Sequence, residues 1–532
     1  MAQQLCLAVA LIAALVVVDV KYAAGTGPIS FSAPAVMSLP VAVLGWPAVF
    51  KLTGASLTIL IFVLISFLFS LSWLFSARPG GKNLFWLSAQ FAFIWGLVTA
   101  SDLFTIFIFT QLLMVPQYFL NLGPGRAHHR RIARRMLIAG LVVGSLILAA
   151  AILISPVTHH HQVPSGDRTS LTALICILTA VWISLSLFPF HSVQMARITL
   201  DGQNLLPLNS NIWTGLALMI WLQRSLFVPQ LDAISWPLAA AATTAMAACS
   251  VACFAQRELS RSMAYAAAAV SALAFLAWLS GNTMGVVGSV LILGVLPVTV
   301  FGFQRGLDLL YLQAHDISVS RDGRPASRGA THLLFLLLTA ACIGMPATAI
   351  FRGVWFALIG MIKVATSAGR VELRTVIFGI IAFASLVPMI LGVISRSLLA
   401  FRDPAQNIRQ PDLSIYAGGI GTSPDSDFTA PLNLNTYIRT ARLWAIFAMM
   451  VSLTLGLFPI LAISPLLKSL QPPHSTPAPP RPQWPQIPLF HAVIVEYTPF
   501  PRAYVPAVRC ISTLTERNHL PALGTASGQG RT

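Results

Sequence analysis

Asp102-Leu-Phe-Thr-Ile-Phe-Ile-Phe-Thr-Gln-Leu-Leu-Met-Val-Pro-Gln-Tyr-Phe-Leu120 is a run broken by few polar side chains: Asp102, Thr105, Thr110, Gln111, Gln117 and the phenol of Tyr118. Coiled at 1.5 Å per residue it reaches about 28 Å, close to the ~30 Å hydrocarbon thickness of a bilayer. Its apolar residues point to every side, unlike the single stripe of a helix that lies on a soluble core. Runs of the same kind recur near 5–20, 53–76, 84–101, 133–155, 169–188, 205–223, 233–254, 262–280, 284–304, 331–350, 351–363, 374–396 and 437–465. The chain therefore reads as an all-α polytopic membrane protein of about fourteen transmembrane helices. Alternating strands of about ten residues, the mark of an outer-membrane barrel, do not occur in it.

Composition agrees. The 532 residues are 56% hydrophobic and only 9% charged, with a mean hydropathy of +0.78, whereas a soluble domain carries about 25% charged residues. A net charge of +17 would point to nucleic acid in a soluble protein. Here the cations sit in short connections, where they orient helices, so the bilayer is the partner implied and nucleic acid is not. The cysteines, Cys6, Cys176, Cys249, Cys253, Cys342 and Cys510, form no C-x-x-C pair. No iron–sulfur cluster, structural zinc or disulfide framework is implied, and no glycine-rich dinucleotide loop is present. We therefore expect no catalytic residue, no cofactor and no bound metal in this chain. Leu5 to Val18 lacks a preceding basic residue and reads as a retained first helix rather than a cleaved signal.

If consecutive runs cross the bilayer, one side receives Arg78, Lys82, Arg126, Arg130, Arg131, Arg134, Arg135, Arg197, Arg257, Arg261, Arg305, Arg321, Arg324 and Arg328. The other receives Arg168 and Arg224. The first set then faces the cytoplasm or matrix, and Asp102 the outside. The block from His128 to Arg135 is explained by this orientation. His159, His160 and His161 fall on the outer connection, as a solvated loop. Segment 28–50, with Pro28, Pro34, Pro40 and Pro47, is either a kinked span or a loop on the bundle. Residues 403–436 read as a polar loop and 466–532 as a Pro-rich tail. The organisation expected is 1–82, N-terminal helices; 83–254, a first repeat with its preceding helix; 255–401, a second repeat; 402–465, loop and last span; 466–532, tail.

Several of these stretches resemble the antiporter-like, proton-conducting membrane subunits of respiratory complex I, of the subunit-4 type, and their relatives in Mrp antiporters and membrane-bound hydrogenases. In Asp102–Leu120 the matching residues are Asp102, Leu103, Phe104, Pro116, Tyr118 and Phe119. Leu187-Phe-Pro-Phe-His-Ser192 is similar to the family's P-F-H motif. Ala255-Gln-Arg-Glu-Leu-Ser-Arg-Ser-Met-Ala-Tyr265 is similar to its A-Q-x-D-L-K-R-x-I-A-Y motif, and Gly344-Met-Pro-Ala-Thr-Ala-Ile-Phe351 to G-L-P-G-T-x-G-F. The resemblance implies two inverted five-helix repeats, near 103–254 and 262–396, each with a broken helix. Breaks are expected at Asn204, Pro207, Asn209, Ser210 and Asn211 in the first and at Pro346 to Arg352 in the second.

The same resemblance implies a row of ionisable groups at mid-depth, and here they are replaced. The glutamate position is Gln111, the first lysine falls near Leu216, and the lysine link holds Ser260 beside Arg261. The histidine falls among Val295 to Thr299 and the late acid near Val354. Lys21, Lys51, Lys82, Lys363 and Lys468 lie at loops or helix ends. The remaining candidates for an ion path are Gln111, His191, Asn209 and Asn211; Glu258 and Arg261, spaced i, i+3, are candidates for a cytoplasmic gate or a simple helix-start ion pair. Arg352 reads as snorkelling to the interface or pairing with a lipid phosphate or a neighbour.

These readings point to a membrane-arm subunit of a complex I-like NADH:quinone oxidoreductase that is degenerate as a proton translocator. It would sit among other membrane subunits in a bacterial inner or mitochondrial inner membrane, with redox chemistry belonging to its partners. The alternatives are an independent secondary transporter of protons, sodium or inorganic carbon, and a purely structural subunit.

Overall fold

The computed structural model describes residues 29–32, 49–77, 81–122, 127–158, 168–192, 210–224, 228–314, 328–367, 373–402 and 434–470. The expected first helix at 5–20, the histidine run at 159–161, most of 403–436 and the tail beyond 470 lie outside the described residues. The helices are α1 (Gly54–Ala77), α2 (Gly81–Thr99), α3 (Leu103–Asn121), α4 (Ala127–Thr158), α5 (Arg168–Ser184), α6 (Ser210–Arg224) and α7 (Val228–Ala255). They continue as α8 (Leu259–Leu279), α9 (Thr283–Ala314), α10 (Arg328–Cys342), α11 (Ala349–Ser367), α12 (Leu373–Arg402), α13 (Leu434–Leu457) and α14 (Ile460–Leu470). Among the described residues, 8 helices are long and apolar enough to cross a membrane, and three shorter apolar helices join them.

Of segment 28–50, residues 29–32 and 49–50 are among the described residues. β1 (Ile29–Ser32) and β2 (Val49–Leu52) pair antiparallel, Ile29 opposite Leu52 and Ser32 opposite Val49, a small ribbon that an all-helical reading lacks. Phe50 also bridges to Ala100, so the ribbon sits at the α2–α3 turn. There Asp102 caps α3: its carboxylate accepts from the Thr105 amide at 2.7 Å and from the Thr105 hydroxyl at 2.8 Å, satisfying a donor that a helix start leaves free. Trp221 of α6 donates its indole N–H to the Ser101 carbonyl at 3.0 Å, tying α6 to the same end.

α9 is the hub. Its neighbours include α1, α8, α10, α11 and α13, and its apolar span is buried throughout. Small residues let helices approach it: Phe62 of α1 lies over Gly294, and Ala448 of α13 over Gly302. α10 and α11 lie along it one after the other. Phe335 and Leu338 pack at Gly306, and the Cys342 thiol donates to the Thr299 carbonyl at 3.3 Å. Further along, Gly353 and Ala357 pack at Gly288, and Gly360 at Gly285. The two helices are therefore halves of one interrupted span, which hydropathy alone divides into two runs and which the resemblance implies as one broken helix.

α7 and α8 form the corner opposite Asp102. Ser262 donates to the Cys253 carbonyl at 3.0 Å, and the Cys253 thiol lies 3.7 Å from the Met389 carbonyl of α12. α3 thus starts at one side and α8 at the other, the inversion that a second repeat requires.

Candidate functional site

The first interruption follows α5. Ser186 adopts φ 54°, and a cis peptide joins Phe188 to Pro189. Helix α5 therefore ends close to the bound of 188 read from the sequence, while the break expected at Asn204–Asn211 falls outside the described residues up to Asn209, with α6 beginning at Ser210. Trp182 donates its indole N–H to the Phe188 carbonyl at 3.0 Å, bracing the turn. Its ring meets Phe275 of α8 edge-on at 5.5 Å, and His191 packs on Tyr265 at 5.3 Å. Ten residues of α8 separate those contacts, so the unwound strand 185–192 runs along α8 for about 15 Å. Trp182→Phe removes the brace and is expected to lower stability by about 1 kcal/mol in a detergent melting measurement.

His191 therefore joins two motifs distant in sequence. Its ring stacks on Phe188 at 5.3 Å, and its Nδ1 is buried with no protein hydrogen-bond partner among the described residues. Tyr265 belongs to the face of α8 that begins with Glu258 and Arg261, because residues 258, 261 and 265 repeat at helical spacing. Arg261 Nε lies 2.9 Å from a Glu258 carboxylate oxygen, with the two side chains 50% and 38% exposed. Glu258 holds the cap position of α8 without making a side-chain cap bond.

The second interruption lies between α10 and α11, at the middle of α9. Gly344 adopts φ 75° and Ala347 φ 70°, left-handed conformations that suit glycine and strain alanine. Thr348 closes the turn, its hydroxyl donating to the Met345 carbonyl at 2.7 Å. Gly456, in the last turn of α13, packs on the backbone of Ala347 and Thr348. Arg352 donates Nε–H to the Gly456 carbonyl at 2.9 Å. The guanidinium thus caps the end of α13.

Solved structures with this arrangement were found. The chain superposes on a chain of respiratory complex I from Thermus thermophilus with TM-score 0.60 and 18% identity, covering 84% of this chain and 89% of that one. It superposes on a chain of the Mrp complex from Dietzia sp. DQ12-45-1b with TM-score 0.61 and 15% identity, covering 87% and 90%. A chain of the membrane-bound sulfane sulfur reductase, an archaeal respiratory membrane complex, gives 0.57 and 13%, covering 80% and 85%. The chain has the antiporter-like fold. No family model and no curated protein matches its sequence.

Within the antiporter-like fold the remaining candidates are scattered. Gln111 lies on α3 with its amide against Gly144 of α4, away from the His191–Tyr265 contact. Asn211 is buried in the first turn of α6, and Asn209 falls outside the described residues. Leu216, at the lysine position, is fully buried beside Trp213. Among the described residues no three His, Cys, Asp or Glu side chains gather in a form that could hold a metal.

One site escapes the sequence reading. Arg305, counted there among loop cations, is fully buried, because α9 continues to Ala314. Its Nη1 lies 3.1 Å from an Asp308 carboxylate oxygen and its guanidinium 5.2 Å from the Phe301 ring centroid. The i, i+3 spacing of Arg305 and Asp308 was the available signal.

Proposed function

We propose that this chain is a membrane subunit of a complex I-like NADH:quinone oxidoreductase, filling an antiporter-like position in the membrane arm without carrying proton current itself. The observation that carries the reading is the antiporter-like fold over most of the chain, shared with chains of respiratory complexes. The loss of titratable groups supports the second half: Gln111 and Leu216 stand where the resemblance implies glutamate and lysine, and neither can pass a proton by changing charge. The electron-transfer chemistry belongs to partners, and the host is an energy-converting inner membrane, bacterial or mitochondrial.

The test is purification of the tagged chain from its native membrane in mild detergent, followed by native electrophoresis with NADH dehydrogenase staining and identification of companions. Co-migration with a flavin- and iron–sulfur-containing activity is the expected result. A small particle without such partners overturns the reading in favour of an independent transporter. In the assembled complex, Gln111→Ala and His191→Ala are each expected to leave proton flux per NADH unchanged within about 20%. A fall of about tenfold or more, toward the ~10²–10⁴-fold typical of losing a proton-transfer group, would assign the current to this chain.

A further inference from the structure

We propose that the seam between the two mid-span interruptions, residues 344–347 and 458–459, is covered by a transmembrane helix of another subunit that presents a carboxylate to Arg352. This deepens the reading of the chain as one subunit among several.

The first ground is depth. Going along α9, its contacts with α10 end at Thr299 and those with α11 begin at Ile292, so the turn at 343–348 lies opposite the middle of a 32-residue helix. Gly456 packs directly on that turn, so the end of α13 and the start of α14 share its level. Both interruptions therefore sit where the bilayer offers no water.

The second ground is exposure. Met345 is 44% exposed, Leu457 53%, Phe458 58% and Ile460 55%. Exposed side chains alone would describe any lipid-facing helix. Here they border non-helical backbone, and irregular backbone at this depth is stable only when protein or a water-filled cavity covers it. The turn's own bonds serve the amides of Met345, Thr348, Phe351 and Arg352, and Met345 and Pro346 are exposed on its outward side.

The third ground is charge. Arg352 spends its Nε–H on the Gly456 carbonyl. The pairs Glu258–Arg261 and Arg305–Asp308 lie elsewhere. A half-buried guanidinium at mid-depth calls for an acceptor of opposite charge. A helix carrying an Asp or Glu at that level, flanked by apolar side chains against Met345, Phe458 and Ile460, meets both demands.

A photo-crosslinking residue placed singly at Met345 and at Phe458, in the full chain in its native membrane, tests the seam. Phe383, 59% exposed on α12, serves as the control for a lipid-facing position. The expected result is that Met345 and Phe458 both yield an adduct with one membrane protein, mapped to a single apolar segment containing a carboxylate, while Phe383 yields lipid adducts. Arg352→Gln, which keeps a donor for Gly456 but drops the charge, is expected to cut the protein adduct about tenfold, and Arg352→Lys to retain most of it. Lipid adducts at Met345 and Phe458, or adducts to another part of this chain, overturn the proposal. So does an adduct yield that Arg352→Gln leaves unchanged. A membrane partner without NADH dehydrogenase activity would uphold the seam and fail the complex I-like reading, so the two are separable.

Discussion

Gly288→Leu is expected to cost ~3 kcal/mol or more and to drive the purified chain into aggregates on mild heating. A Cβ at Gly288 would stand 2.6 Å from the Ala357 nitrogen and 2.7 Å from the Gly353 carbonyl oxygen. Both are backbone atoms of α11, so no side-chain rotation relieves the clash. Helices α9 and α11 touch through their main chains at Gly285, Gly288, Gly353 and Gly360, the small-residue packing that membrane helices use in place of a hydrophobic drive. Separating them by the width of a leucine also pulls the turn at 343–348 away from Gly456. Gly379→Leu is the control, since nothing lies within 4 Å of a Cβ there. It should leave the melting midpoint within about 2 °C, by fluorescence-detected size exclusion after heating. Equal loss in the two variants would show that the crossing is not what the glycines protect.

Arg305→Ala comes next, with an expected loss of about 3–5 kcal/mol. Removing the guanidinium takes from the Asp308 carboxylate, whose side chain is only 13% exposed, its counter-ion at 3.1 Å, and a buried charge that loses its counter-ion is costlier than none. Asp308→Ala takes the carboxylate from the fully buried arginine in the same way. The informative variant is the pair Arg305→Leu with Asp308→Leu, which removes both charges and keeps the volume. It is expected to recover most of the loss, because the net worth of a buried ion pair against apolar replacement is small. A double-mutant cycle in a detergent unfolding titration gives the coupling. Strictly additive losses would mean that the two side chains act separately despite their 3.1 Å approach.

The fold was legible where one physical cause dominated. An apolar run of membrane length has few alternatives to a spanning helix, so α3, α4, α7, α8 and α12 lie close to where the sequence places them. Asp102 was legible as a marker of the α2–α3 corner, and its cap bonds to Thr105 give the local reason for that residue. Charge was the weaker guide. Arg305 looked like a loop residue because cations usually end a span, and the i, i+3 spacing to Asp308 was the one local hint that it is compensated inside a helix. The same limit applies to Arg352, whose partner, the Gly456 carbonyl, is a hundred residues away.

Breaks were legible in kind and less so in place. Pro346 and Gly344 put the second where it is found. The first, expected near the asparagines at 204–211, falls outside the described residues up to Asn209, and α6 begins at Ser210. The end of α5 at Ser184, before Phe188-Pro189, lies close to the 188 read from the sequence, as a proline acts on the turn before it. That α10 and α11 share one crossing could not be read from hydropathy, since two half-spans and two short spans have the same composition. The meeting of His191 with Tyr265 is a tertiary contact between motifs that the sequence shows only as separate landmarks.

The packing of α14 against α1 sets an order of events during synthesis. α1 is among the earliest described helices to leave the ribosome and α14 is the last, with Leu466 and Ile463 sealed into the core that α1 begins. A contact of that sequence separation forms late. Until it does, the insertion machinery or a chaperone must shelter the uncovered flank of α1 and the unsealed turn at Ala347. The time for which a half-made chain is vulnerable to membrane proteases is then set by translation through Leu470, not by the insertion of any single helix.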